Sequence, residues 1–382
     1  VGPRLMKLFL IAGEPSGDRL GAALMAGLKT LAPEVRFSGV GGPLMQAQGL
    51  QSLFPMEELS VMGIAEVLPR YAALKRRIRE CATAVIEEEP AAVITIDSPD
   101  FNLRVAQLVR MQRPGQKTVH YVAPSVWAWR PKRAEKMAKW IDHVLALLPF
   151  EPPYMTAVGM TCDFVGHPVV TEPVASDAEA WTYREGLGKA PVLLALPGSR
   201  RSEVTRLAPV IGEVMARIRQ VHPDAGVLLP TIPAIEGLVR DLTAGWPVAP
   251  RIILDPEEKR VAFKAADVAI AASGTVSLEL AANRVPMVIA YDMAKVSMWM
   301  MRRMALIDTV TLVNLVSDTR HVPEFLGKDC RADRIAPTVL SLLAGEGNAI
   351  HQRQAMEITM QRLGEGGEPP GLRAARSVLD FL

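Results

Sequence analysis

The stretch VLLALPGSRRSEV, residues 192–204, decides how this chain is read. Val192–Leu196 is a short continuous apolar run, the pattern of a strand buried on both faces. Pro197-Gly198-Ser199 breaks the run with turn-forming residues. After Arg201, residues Val204, Leu207, Ile211, Val214 and Ile218 recur at the spacing of one helix face. A strand, a tight turn and a helix start together leave backbone N–H groups at the positive end of a helix dipole, a setting that suits an anion. Ala272-Ser273-Gly274-Thr275 repeats the arrangement after the apolar run Val268–Ala271. Two such turns in one α/β domain predict a site for a phosphate-bearing ligand.

The alternation of strand and helix extends over most of the chain. Apolar runs at Leu8–Ala12, Ala92–Ile96, Thr118–Val122 and Val144–Leu148 form one series. Val192–Leu196, Gly226–Leu229, Val268–Ala271 and Met287–Ala290 form a second. Helical spacing lies between them, as at Leu20, Leu24, Leu28 and Leu31. Such alternation predicts parallel sheets covered on both faces. A length of 382 residues favours two domains over one core. The polar stretch after Gly166-His167-Pro168 marks the boundary, giving domains over 1–166 and 167–354. The fold class is therefore α/β, with two Rossmann-like, doubly wound domains. Ligands of such sheets sit beyond the carboxyl ends of the strands, so a cleft between the two domains is expected.

Several residues at those strand ends could carry chemistry. Gly198 lets backbone approach a phosphate, and Arg200 or Arg201 adds a bidentate cation; the same segment also reads as an ordinary turn with solvated arginines. Ser273, Gly274 and Thr275 add donors, unless Thr275 only caps its helix. Glu279, one turn on, is either an acceptor for ribose hydroxyls or a solvated helix residue. Asp97, in IDSPDFN from Ile96, stands where a catalytic base would accept a hydroxyl proton; the alternative is that Asp97 or Asp100 caps the next helix.

Composition excludes other classes. Net charge is only +2, which does not favour a nucleic-acid partner. The three cysteines, Cys81, Cys162 and Cys330, form no metal or disulfide pattern and fit a reducing cytosol. Neither G-x-G-x-x-G followed by a helix nor G-x-x-x-x-G-K-[ST] is present, against dinucleotide and P-loop chemistry. The six histidines lack ligand spacing, so neither a metal nor a cofactor is expected. Glu14 and Asp18 interrupt the first apolar run too soon for a signal peptide. No apolar run approaches the roughly 18 residues that span a bilayer. Membrane contact would then be peripheral, and residues 61–79 and 293–304 mix apolar and basic residues in a way that suits either an anionic lipid surface or a core-facing helix with a basic outer face.

The segments taken together resemble the lipid-A-disaccharide synthase family. The matching stretches are AGEPSGDRLGA from Ala12, GVGGPLMQAQG from Gly39, MEELSVMGIAEVL from Met56, IDSPDFN from Ile96 and HYVAPSVWAWRPKR from His120. LPFE from Leu148, FVGHP from Phe164, LPGSRRSEV from Leu196, ASGTVSLEL from Ala272 and LVNL from Leu312 follow in family order. The resemblance implies an inverting, metal-free GT-B glycosyltransferase on the inner face of the bacterial cytoplasmic membrane. Its implied substrates are UDP-2,3-diacylglucosamine and 2,3-diacylglucosamine 1-phosphate (lipid X), joined as a β-1,6 disaccharide with release of UDP. It implies Asp97 as general base and UDP contacts at Ser199, Arg200, Ser273, Gly274, Thr275 and Glu279, with Asn283 and Asn314 beside them. It further implies a C-terminal helix, from about residue 355, that returns to the first domain, and it allows a homodimer. Asp292 departs from the family, which commonly has a basic residue there. A UDP-sugar 2-epimerase and a non-catalytic UDP-binding protein are the rival readings.

Overall fold

The computed structural model describes residues 6–59, 64–188, 190–294, 298, 303–346 and 348–382, with the side chains of 64–71 excepted. Two compact units emerge. The first runs to Thr171 and takes back Gly366–Leu382; the second is Glu172–Glu365.

The first unit holds a seven-stranded parallel sheet. Its strands are β1 (Lys7–Ala12), β2 (Arg36–Val40), β3 (Gln51–Ser52), β4 (Ala92–Ile96), β5 (Lys117–Tyr121), β6 (His143–Ala146) and β7 (Thr161–Phe164), in the order β3-β2-β1-β4-β5-β6-β7. The order reverses direction at β1 and β4, the switch point of a doubly wound sheet. Leu8–Ala12 and Ala92–Ile96 are buried throughout because helices cover both faces. The edge strand β7 is instead only half buried, and its sequence TCDF carries no apolar run.

The second unit repeats the plan with six strands. They are β8 (Val192–Leu196), β9 (Gly226–Pro230), β10 (Arg251–Ile253), β11 (Val268–Ala271), β12 (Met287–Tyr291) and β13 (Glu324–Leu326), ordered β10-β9-β8-β11-β12-β13 and all parallel. Here the switch point lies between β8 and β11. The helix Arg201–Val221 buries Val204, Leu207, Ile211, Val214 and Ile218, the stripe expected from spacing.

The last helix, Pro370–Phe381, packs on the first unit against the helix Pro15–Leu31. Glycine permits the approach. A Cβ at Gly371 would lie 2.6 Å from the Ala23 carbonyl, and one at Gly27 would lie 2.6 Å from the Gly371 carbonyl. The far end of the helix is held by polar contacts. Lys117 donates its Nζ to the Phe381 carbonyl at 2.9 Å and caps the negative end of the dipole. His143 Nε2 pairs with Ser377 Oγ at 2.8 Å and stacks on the Phe381 ring, and Ser377 donates to Asp163. Arg373 donates to the Phe164 carbonyl.

Gly371→Val should therefore destabilise the first unit by about 1–3 kcal/mol, since the obstacle is rigid backbone. Urea denaturation followed by tryptophan fluorescence measures this; a midpoint within error of the wild type would refute the tight packing.

Candidate functional site

In the second unit the two turns lie side by side. The Ala272 N–H donates to the Leu196 carbonyl at 2.8 Å, carrying the β8–β11 ladder to the ends of both strands. Gly198 and Gly274 follow at φ +107 and +148, conformations open to glycine. A cavity of about 430 Å³ opens at these carboxyl ends. Ser199, Arg200, Ser273, Gly274, Thr275 and Glu279, all singled out above, line it together.

The polar contacts refine that picture. Thr275 occupies the N-cap position of the helix Val276–Ala282, yet its hydroxyl caps nothing. The Ser273 hydroxyl donates to the Val310 carbonyl at 3.1 Å. Glu279 accepts from Lys259 Nζ at 2.6 Å, so its carboxylate is held in the cavity wall by a neighbouring helix rather than left to solvent. The backbone donors of the first turn, which the sequence alone suggested were open, are occupied. Glu203 Oε2 accepts from the N–H groups of Ser199 at 3.2 Å and Arg200 at 3.3 Å, and Glu203 Oε1 accepts from Arg200 Nη1 at 3.3 Å.

Two further residues stand outside this cavity lining. Asn283 ends the helix Val276–Ala282, donates to the Glu279 carbonyl, and lines a different depression beside Arg184 and Asp267. Asn314 is buried and internally satisfied. It donates to Thr309 Oγ1 and to the Val322 carbonyl, and accepts from the Val322 N–H. It braces the segment that reaches Ser273 through Val310. The unusual Asp292 is met by Arg206, at 3.4 Å, from the helix Arg201–Val221.

In the first unit Asp97 follows β4 at φ +50, and Ser98 follows at φ +40. Successive non-glycine residues in the left-handed region store strain of order 1–3 kcal/mol each, which surrounding contacts must offset. Asn102 supplies two of these. It is wholly buried, and its Nδ2 donates to the Ile96 carbonyl at 3.1 Å and the Asp97 carbonyl at 2.7 Å. The Asp97 N–H donates to the Tyr121 carbonyl, tying the turn to β5. Ser98 holds the N-cap position of the helix Pro99–Gln112, and Asp100 pairs with Arg133 at 3.7 Å. Asp97 therefore stands before the helix and is not its cap.

The loop after β5 carries Trp127 and Trp129. Trp127 is buried, packs edge-on to Phe150, and donates its indole N–H to Glu151 at 3.1 Å. Glu151 also accepts from the Leu148 N–H. Burial pushes the Glu151 carboxyl up to about 7, against the pull of these donors. Trp129 is exposed with the Arg130 guanidinium over its ring at 4.2 Å.

Of the stretch 61–79, residues 61–63 lie outside the described residues, and the rest belongs to the helix Ile64–Glu88, described in backbone alone as far as residue 71; of 293–304, residues 295–297 and 299–302 lie outside. Of their cations, Arg77 is occupied by Glu58 and Glu80 and lies over the Phe54 ring. Among the described residues there is no cluster of three or more groups able to hold a metal, and no helix long and apolar enough to cross a membrane.

Sequence reasoning did not single out Glu203, Lys259 or Asn102. Glu203 carried a usable signal, since it sits three residues into a helix whose first turn was assigned to an anion. Lys259 carried none, because its helix is charged on several sides.

Comparison with known proteins agrees with the resemblance. The family described as lipid-A-disaccharide synthetase matches residues 8–368. The chain is 60% identical over 390 residues to the lipid-A-disaccharide synthase of Ruegeria pomeroyi, covering 99% of this chain and 96% of that one. In fold it is similar to a UDP-GlcNAc 2-epimerase from Neisseria meningitidis bound to UDP-GlcNAc, with a TM-score of 0.61, 12% identity and coverage of 98% and 99%. It is also similar to a glycosyltransferase from Rickettsia africae, with a TM-score of 0.61, 13% identity and coverage of 99% and 97%.

Glu151 gives a pH test. Its folded-state pKa lies above the ordinary carboxyl value, so the folded chain holds the proton more tightly than the unfolded chain. This contribution to stability is complete below about pH 4.5 and is lost as pH rises through about 7. Buried His120 and His167, both pushed down to about 4, act oppositely and lose stability as pH falls from about 6.5. The difference between wild type and Glu151→Gln isolates the carboxyl. The wild type should lose melting temperature relative to the variant between pH 5 and 8, measured by calorimetry; parallel curves would remove Glu151 as the source.

Proposed function

The chain belongs to the lipid-A-disaccharide synthase family, glycosyltransferases of lipid A biosynthesis, and from that premise we propose that it moves 2,3-diacylglucosamine from UDP to the 6-hydroxyl of lipid X. The product is the β-1,6 disaccharide 1-phosphate, formed by single displacement with inversion, and UDP leaves. The second unit, Glu172–Glu365, binds the donor; the first unit, with Gly366–Leu382, binds the acceptor and meets the inner face of the cytoplasmic membrane as a peripheral protein. A homodimer is compatible with this assignment.

The cavity shared by both turns of the second unit is the observation that carries the reading. Backbone N–H groups, the Arg200 guanidinium and the Thr275 hydroxyl can stabilise the departing diphosphate without a metal. Glu279 accepts from the ribose. Asp97 takes the proton of the attacking hydroxyl. Support for that role comes from its place after β4 and from the fixed backbone that Asn102 maintains. Burial of the turn's polar backbone against Asn102 keeps the carboxylate on a rigid support, as positioning for displacement requires.

Incubation with the diacylated donor and lipid X, followed by mass analysis for the disaccharide phosphate and for UDP, tests the whole reaction. Asp97→Asn should leave UDP affinity intact and lower turnover by ~10²–10⁴-fold. Near-normal turnover in that variant would take Asp97 out of the mechanism, and UDP binding with no disaccharide from the wild type would leave only a binding protein.

A further inference from the structure

The first turn of the second unit already holds an anion, and it belongs to the chain. The Glu203 carboxylate engages the N–H groups of Ser199 and Arg200 and the Arg200 guanidinium at once. These are the donors assigned above to the diphosphate. The Glu203 side chain is only 13% exposed, while the Arg200 side chain is 67% exposed, so the carboxylate lies inside and the guanidinium closes over it.

A helix cap accounts for part of this arrangement. A glutamate at the third helical position commonly returns to the N-cap N–H. That explains the bond to Arg200 N. It does not explain the bond to Ser199 N, which precedes the N-cap, or the ion pair with the arginine. Gly198 makes the space: a Cβ there would collide with Glu203 Oε2 and Cβ. The missing side chain that lets a phosphate come close is the same vacancy that admits this carboxylate.

We propose that Glu203 is the resident anion of the cradle and sets which ligands enter it. The proposal rests on the reading that a nucleoside diphosphate binds in this cavity. A diphosphate offers more charge and more acceptor oxygens than one carboxylate, so it can replace all three contacts together. A nucleoside without phosphate offers nothing in exchange and leaves Glu203 in place. The donors are satisfied in both states. The exchange lowers affinity for the nucleotide, because each bound diphosphate first displaces a charged competitor. The same competitor returns when UDP departs, which favours release of product.

Calorimetric titration of the full chain with UDP and with uridine, on wild type and Glu203→Gln, tests this. Glutamine keeps the length and one acceptor but removes the charge, and charge-assisted bonds are about twice as strong as neutral ones. UDP should bind the variant about 3–10-fold more tightly, with uridine affinity unchanged. Unchanged or weaker UDP binding beside unchanged uridine binding would make Glu203 a helix cap and nothing more. Absence of UDP binding in the wild type would overturn the parent reading and this inference with it. Should the variant lose both ligands, a crystal structure of wild type with UDP decides. Glu203 withdrawn from Ser199 N and Arg200 N upholds the exchange, and Glu203 still bonded to both refutes it.

Discussion

One hydrogen bond, from Ala272 N–H to the Leu196 carbonyl, fixes the geometry on which the second unit's site depends. It is the last rung of the β8–β11 ladder, at the place where strand order reverses. Helices on either side of that point must diverge, and their first turns then flank the hollow. The glycines at 198 and 274 follow from this constraint. Each sits where the chain leaves the sheet with positive φ.

The first unit solves a related problem by other means. Its β4 turn has no glycine at the two left-handed positions; Asp97 and Ser98 occupy them. A buried asparagine, two carbonyls and a neighbouring strand hold what glycine would have allowed freely. That choice puts a carboxylate on a backbone that costs energy to form and resists rearrangement. Similar economy of freedom governs the tryptophan loop, where one buried carboxylate gathers an indole and a backbone amide.

Most of the fold was readable from residue pattern, for a physical reason. Strands buried on both faces, such as Leu8–Ala12 and Val268–Ala271, must be continuously apolar, and such runs stand out. Edge or short strands need not be. Thr161–Phe164 carries a threonine, a cysteine and an aspartate, and Glu324–Leu326 is three residues long, so neither showed itself. The cavity-lining residues on the turns were visible because turn chemistry is local. Their partners were not: Lys259 lies twenty residues before Glu279, and nothing in its helix marks it as the neighbour. Asn314 illustrates the converse. The family resemblance puts it beside the nucleotide, and its pattern gives no hint of the bonds it makes with Thr309 and Val322.

The return of Pro370–Phe381 to the first unit bears on how the polypeptide is made. The face of the helix Pro15–Leu31 that receives it, including Gly27, is synthesised early and its covering segment only after the second unit. A nascent chain on the ribosome would therefore carry that groove uncovered while all of the second unit is translated. Folding of the second unit can run to completion in the meantime, because its residues are contiguous from Glu172 to Glu365. Completion of the amino-terminal half waits until Gly366–Leu382 has emerged, which makes translation order, and not only stability, a constraint on this architecture.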